Sequence, residues 1–301
     1  MNSETRQVRV LIVGCGYVGL AVGELLSKAG HQVFGLRRTG SGRRELERPA
    51  IVPLTGDITR AEDLRNLPLP FDWVVNTVSS MRGGKDEYRA VYLEGTRNLI
   101  AWLKGSPLQK YVYTSSTSVY GQTDGSVVHE QSATEPASET GRILLEAESL
   151  LLEAARTKEL PAVILRVAGI YGPERGHLFQ QYLRDEATIS GDPQRYINMV
   201  HRDDLAGIIL AALERGQPGE IYNVSDEEPV SQLLFFTWLS QTLKKPLPPL
   251  VADPPASRKR AITNKRISNA KLKAELGYQF KYPTYREGYT AEIARLRIAL
   301  G

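Results

Sequence analysis

The chain has 301 residues, 42% of them hydrophobic and 24% charged, with 38 Lys and Arg against 34 Asp and Glu for a formal net charge of +4. This is a globular balance, which excludes wholesale disorder, and the mild positive charge suits anionic small ligands without marking a nucleic-acid binder. The single cysteine, Cys15, excludes an intrachain disulfide and a cysteine-based zinc site, and no metal site is expected. No window reaches the roughly 18 apolar residues needed to span a bilayer. The opening MNSETRQVRV lacks the apolar stretch of a signal peptide. A soluble, cytoplasmic protein without a membrane partner is the expectation.

The first predicted element is a strand over 8–13 (VRVLIV), a β-branched run suited to burial. It runs into Gly14-Cys-Gly-Tyr-Val-Gly19, and a helical spacing of apolar residues follows to Gly30. A second strand is expected over 31–36. In this strand–helix–strand setting each glycine has a purpose. Gly14 permits the tight turn, Gly16 lets the backbone approach a pyrophosphate, and Gly19 allows close helix–strand packing. The helix N-terminus, with Tyr17 and Val18, offers N–H groups to that pyrophosphate. Further strands are expected at 51–54, 71–76, 109–115 and 160–167, and helices at 86–104 and 143–157. Such alternation predicts an α/β fold, a Rossmann-type doubly wound parallel sheet covered by helices. The proline-rich 245–255 reads as a long loop.

The end of the second strand bears on cofactor choice. An NAD site usually places a carboxylate there for the ribose 2′-OH. This chain has Arg37 and Arg38, then Arg43 and Arg44. Guanidinium groups bind a 2′-phosphate through paired, charged hydrogen bonds. NADP(H) is therefore expected over NAD(H). The competing reading is a solvated basic loop.

Two segments carry a family resemblance: Thr114-Ser-Ser-Thr-Ser-Val-Tyr-Gly121 and Ile164-Leu-Arg-Val-Ala-Gly-Ile-Tyr-Gly-Pro173. Together with Met199-Val-His-Arg-Asp-Asp-Leu205 and Gly219-Glu-Ile-Tyr-Asn-Val-Ser225, they closely resemble the extended short-chain dehydrogenase/reductases, the NAD-dependent epimerase/dehydratase family. The glycine loop also resembles that of nucleotide-sugar 6-dehydrogenases. Those enzymes use a catalytic cysteine far downstream, and the only cysteine here is in the loop itself. The resemblance implies a cofactor domain of residues 1–172 plus about 199–225, and a smaller substrate-binding lid of about 173–198 plus 226–301. It also implies a small-molecule substrate, with nucleotide sugars and related carbonyl or carbinol compounds in view. A homodimer through the helices near 86–104 and 143–157 is implied as well.

By the same resemblance, Asp57 with Ile58 matches the adenine-contacting segment, and Thr77 and Val78 line the cofactor after the fourth strand. Arg166 falls on the cofactor side. Tyr171, Asn198, His201 and Arg202 fall on the substrate side. Arg258, Lys259, Arg260, Lys265 and Arg266 form a basic cluster that could hold a diphosphate or simply be a solvated charge run. The family's catalytic set is a Ser/Thr, a Tyr acid/base and a Lys that lowers the Tyr pKa. Ser116 keeps the first. The Tyr-x-x-x-Lys pair falls on Thr140 and Leu144, and a shifted alignment gives Ser138 and Arg142. A threonine hydroxyl is too weak an acid, leucine carries no charge, and arginine is a poor proton shuttle. Leu144 belongs instead to an i, i+3, i+4 apolar stripe. Tyr120 and His201 are the candidate replacement acids. Tyr120 could equally be a packed aromatic, and His201 an anchor between sheet and lid. Two functions stay open: an atypical NAD(P)-dependent oxidoreductase or epimerase, and a catalytically silent NADP(H)-binding sensor or partner-binding protein.

Overall fold

The computed structural model describes residues 7–40, 43–47, 49–80, 84–252 and 263–300. Its centre is a seven-stranded sheet of β1 (Arg9–Val13), β2 (Gln32–Arg37), β3 (Val52–Thr55), β4 (Trp73–Asn76), β5 (Lys110–Ser116), β6 (Ala162–Val167) and β7 (Ile221–Val224). The order is β3-β2-β1-β4-β5-β6-β7, and every pairing is parallel. Parallel strands need crossovers, here supplied largely by helices, so both faces of the sheet are covered. The main helices are α1 (Tyr17–Lys28), α2 (Gly95–Leu103), α3 (Glu139–Arg156), α4 (Arg202–Arg215), α5 (Gln232–Leu243), α6 (Ala270–Leu276) and α7 (Tyr285–Leu300).

Side chains alternate across a strand, so each strand feeds two cores. Val10 and Ile12 of β1 pack with Val22 and Leu26 of α1 and Ile208 and Ile209 of α4. Leu11 and Val13 face the other way, towards Leu99 and Leu103 of α2 and Ala147 and Leu151 of α3. The expected doubly wound architecture is present.

A third core joins Tyr171, Phe179 and Met199 to Phe235, Phe236, Tyr285 and Tyr289, the last four from α5 and α7. This aromatic unit lies within the segments expected to form the lid, except at Tyr171 and Met199. Another difference concerns α6, whose Leu272 and Leu276 pack into the first core. That part of 226–301 covers the sheet.

Two local expectations also shift. The helix expected over 143–157 starts at Glu139, because Ser138 caps it by accepting the Gly141 N–H at 3.1 Å. In the segment 245–255, Leu250–Val251 pairs in parallel with Ile189–Ser190, while residues 253–255 lie outside the described residues.

Candidate active site

The carboxyl ends of the parallel strands converge on one edge, and the chain reverses its winding direction between β1 and β4. A crevice outside this edge is where doubly wound sheets hold ligands. Gly14 turns there with φ +77°, and a Cβ on it would lie 2.7 Å from the Cα of Val78. A Cβ on Gly19 would meet Ile12 Cγ2 at 2.9 Å and Thr77 Oγ1 at 3.1 Å. Thr77 Oγ1 also donates to the Gly14 carbonyl at 3.0 Å, tying the loop to the end of β4. Gly16 differs, since the nearest atom to an added Cβ is the Gly14 oxygen at 3.9 Å. Packing inside the protein does not demand glycine at 16.

Gly16 is the N-cap of α1 and gives no side-chain cap, and the first turn has no acidic residue. The N–H groups of Tyr17, Val18 and Gly19 have no intrahelical acceptor. Their partial positive charge suits a phosphate. These features fit a dinucleotide diphosphate. The Tyr17 ring lies beneath the guanidinium groups of Arg175, at 4.3 Å, and Arg202, at 5.1 Å. Arg202 is paired with Asp203 at 2.8 Å. Burial pushes the Tyr17 phenol up to about 12, so it stays protonated at neutral pH.

At the end of β2, Arg37 donates Nε to the Cys15 carbonyl at 2.7 Å and pairs with Glu45 at 3.0 Å. Arg37 thus braces the glycine loop, while Arg38 is exposed. Asp57 Oδ1 accepts from the Thr59 N–H and hydroxyl at 2.9 and 2.8 Å, holding the turn after β3. The side chain of Ile58 lies in the second core. Val78 donates its N–H to Asn76 Oδ1 at 3.2 Å.

Several expected site residues have other occupations. Arg166 is 4% exposed and bonds Glu148 with Nε and Nη2, the shortest contact being 2.8 Å. Its remaining nitrogen donates to Tyr120 Oη at 2.9 Å and to the Glu130 carbonyl. It is therefore a buried ion-pair residue, not a cofactor contact. Tyr120 is fully buried and donates to Asn223 Oδ1 at 2.8 Å. Burial raises its pKa, which makes it a worse acid at neutral pH and argues against it as the replacement. Thr140 Oγ1 lies 3.1 Å from Ser138 Oγ in the cap of α3. Leu144 packs with Val119, Tyr120, Val128 and Ile267. Arg142, the alternative cation, is exposed. Ser116 remains at the end of β5, where its Oγ accepts the Ser118 N–H at 3.2 Å.

The substrate-side candidates are mostly structural. Asn198 clamps the 265–267 segment, donating to the Lys265 carbonyl at 2.9 Å and accepting the Ile267 N–H at 2.8 Å. His201 is buried, caps α4 through Nδ1, and lies with Nε2 3.5 Å from Glu292. It anchors the short strand Met199–His201, which pairs with Gly169–Tyr171, to α7. Tyr171 is buried and stacked on Tyr289 with ring centres 4.3 Å apart. Of the basic cluster, Arg258, Lys259 and Arg260 lie outside the described residues. Lys265 is buried while Arg266 is exposed, so these two do not act as one surface patch.

Residues 10–225 match the model of the NAD dependent epimerase/dehydratase family. The chain belongs to this family. Protein YeeZ of Escherichia coli is 28% identical over 282 residues, which are 91% of this chain and 96% of that protein. A solved Methylobacillus flagellatus protein named for the NAD-dependent epimerase/dehydratase family is 31% identical, with a TM-score of 0.75 over 97% of this chain and all of that one. The dTDP-glucose 4,6-dehydratase DesIV of Streptomyces venezuelae, solved with NAD bound, is 25% identical. Its TM-score is 0.82, covering 96% of this chain and 97% of that chain. Among the described residues no helix is long and apolar enough to cross a membrane.

The buried Arg166–Glu148 pair is what sequence reading missed. Its signal was present: an arginine inside LPAVILRV, an otherwise apolar strand, needs a buried partner.

Proposed function

We propose that this family member is an NADP(H)-dependent oxidoreductase or epimerase acting on a small carbonyl or carbinol substrate, with nucleotide sugars the leading class. The observation that carries this reading is the uncapped α1 N-terminus beside Gly16, where nothing in the protein fills the space of a side chain. The N–H groups of residues 17–19 would hold the diphosphate. Arg38, with Arg37 behind it, would hold a 2′-phosphate, and Asp57 would face the adenine. Thr77 and Val78 would line the cofactor. When bound, the cofactor supplies reversible hydride chemistry. This chain would present the Ser116 hydroxyl, at the end of β5, to the substrate oxygen. The relative DesIV supports the sugar-nucleotide class by its name.

The single, buried cysteine suits a reducing, cytoplasmic setting. A homodimer would bury the groove between α2 and α3, where Ile100, Ala101 and Leu150 are flanked by Lys104 and Glu159. A second reading, a silent NADP(H) sensor, draws support from Leu144 and Tyr120 being packed in the core. Calorimetric titration of nucleotide-stripped protein with NADPH and NADH tests both. Tight NADPH with weak NADH is expected, and binding of neither removes both readings. A substrate screen with nucleotide sugars and carbonyl compounds then separates enzyme from sensor.

A further inference from the structure

The positions where the family carries its proton-transfer pair, Thr140 and Leu144, hold no usable acid. Another buried titratable group lies close by. Lys265 is 5% exposed, and its Nζ donates to the Tyr120 carbonyl and to Thr263 Oγ1, each at 2.8 Å. Both partners are neutral. An ammonium has three N–H bonds, so one is unmet among the described residues. No ion pair reaches it from a described carboxylate. The charged groups packed round the same turn are already engaged: Arg166 with Glu148, and Glu130 with the Asn223 N–H. Arg266 instead donates to the Gly125 carbonyl. A buried cation without a counter-charge is costly, and such a group loses its proton readily or awaits a ligand. Burial alone lowers the Lys265 ammonium to about 8.

Its placement is the second observation. Residues 265 and 267 share one face of the short strand Arg266–Ile267, because side chains alternate. Ile267 packs against Leu144, Val119 and Tyr120. Tyr120, whose carbonyl Lys265 holds, closes the turn Thr117–Val119 by donating its N–H to the Thr117 carbonyl at 3.2 Å, and Ser116 is the N-cap of that turn. The amine therefore reaches the turn that carries Ser116, on the side where Leu144 stands in place of a lysine.

We propose that Lys265 is the acid–base residue of this site, supplied by the C-terminal segment in place of the pair lost at Thr140 and Leu144. This rests on the oxidoreductase reading above. In the reducing direction an N–H bond of the Lys265 ammonium breaks and an O–H bond forms on the substrate oxygen through an oxygen lone pair. Nζ keeps the N–H electron pair as a neutral amine. The oxidising direction runs the reverse transfer. The electrons for the carbon centre belong to the nicotinamide co-reactant of the proposed reaction.

The test is competitive labelling of the full chain with trace acetic anhydride across pH 6.5–10.5, read peptide by peptide by mass spectrometry. Lys265 is expected to react and to titrate roughly two units below the exposed lysines. A Lys265 that titrates with them, or that never reacts, overturns the proposal. Lys265→Met and Lys265→Arg provide the second arm, assayed by NADPH oxidation with phenanthrenequinone and with the nucleotide sugars of the screen. Both are expected to lose about 100-fold or more in kcat while keeping NADPH affinity within about twofold. An arginine variant as fast as the parent overturns the proposal, since charge alone would then suffice. NADPH titration of the unmodified chain separates the two claims. Failure to bind overturns the oxidoreductase reading, whereas binding with an ordinary Lys265 overturns only the Lys265 assignment.

Discussion

The Cα of Val78 sits 2.7 Å from where a Cβ on Gly14 would have to be, so the turn after β1 and the turn after β4 touch through a missing side chain. Gly16, two residues on, touches nothing in this way. The two glycines should respond differently to the same change. Gly14→Ala adds a clash to a strained positive φ and should cost about 1–3 kcal/mol of stability along with NADPH binding. Gly16→Ala should melt within a few degrees of the parent but bind NADPH at least about tenfold more weakly. Thermal melts paired with calorimetric titration check this, and equal melting losses for both would remove the distinction.

Arg37 and Arg38 should also separate. Arg38→Ala should weaken NADPH by roughly tenfold or more and leave NADH nearly unchanged, because a charged hydrogen bond to a 2′-phosphate contributes about 1.5–3 kcal/mol. Arg37→Ala also removes the brace to the Cys15 carbonyl, so it should lower stability and weaken both cofactors. An Arg38 variant with unchanged NADPH affinity would return this stretch to a solvated basic loop.

The Arg166–Glu148 pair gives a prediction about stability. Both side chains are at most 5% exposed. Glu148→Gln leaves a buried guanidinium without its counter-charge and should cost about 3–5 kcal/mol in urea unfolding. Replacing both partners together, Glu148→Leu with Arg166→Met, should recover much of that loss. A double variant as unstable as the sum of the singles would show that Tyr120 and Glu130, which Arg166 reaches, and Ser115, whose hydroxyl donates to Glu148 Oε1 at 2.5 Å, depend on the pair independently.

Lys265 makes stability depend on pH in a stated direction. Its folded pKa, about 8, lies below its ordinary 10.5. Below pH 8 both folded and unfolded chains are charged at this site, and the full burial cost, on the order of 3 kcal/mol, is present. Between pH 8 and 10.5 the unfolded chain binds more protons, so stability rises with pH. Relative to Lys265→Met, the parent should therefore gain stability across that window. A flat difference from pH 7 to 10.5 would mean the amine titrates normally.

The β1–α1–β2 unit and its glycines were legible because a buried strand, a helix and a tight turn each leave a local mark. Ser138 also left one, as a capping serine ahead of an apolar stripe, and it explains why α3 begins before 143. Lys265 was not legible as a buried group. In the sequence it borders Arg266 and follows Arg258–Arg260, which reads as a solvated run. Its burial comes from pairing of Arg266–Ile267 with Val127–Val128, a contact between distant segments. Arg166 read as a cofactor contact for the same reason, since Glu148 reaches it from a helix rather than from a neighbouring residue. Lone side chains took their roles from elements that sequence order does not place together.

The packing of α6 against the sheet bears on how the molecule comes apart. Leu272 and Leu276 seal a core built mainly by β1, α1 and α4, yet they fall between the two halves of the aromatic unit, after Phe235 and Phe236 and before Tyr285 and Tyr289. The chain thus returns to the sheet after leaving it, and neither unit is continuous in sequence. Unfolding of one should pull on the other, which favours a single concerted transition over two separate ones. Cutting the chain between the two would not release an intact sheet, because the last layer of that sheet's cover would go with the other piece.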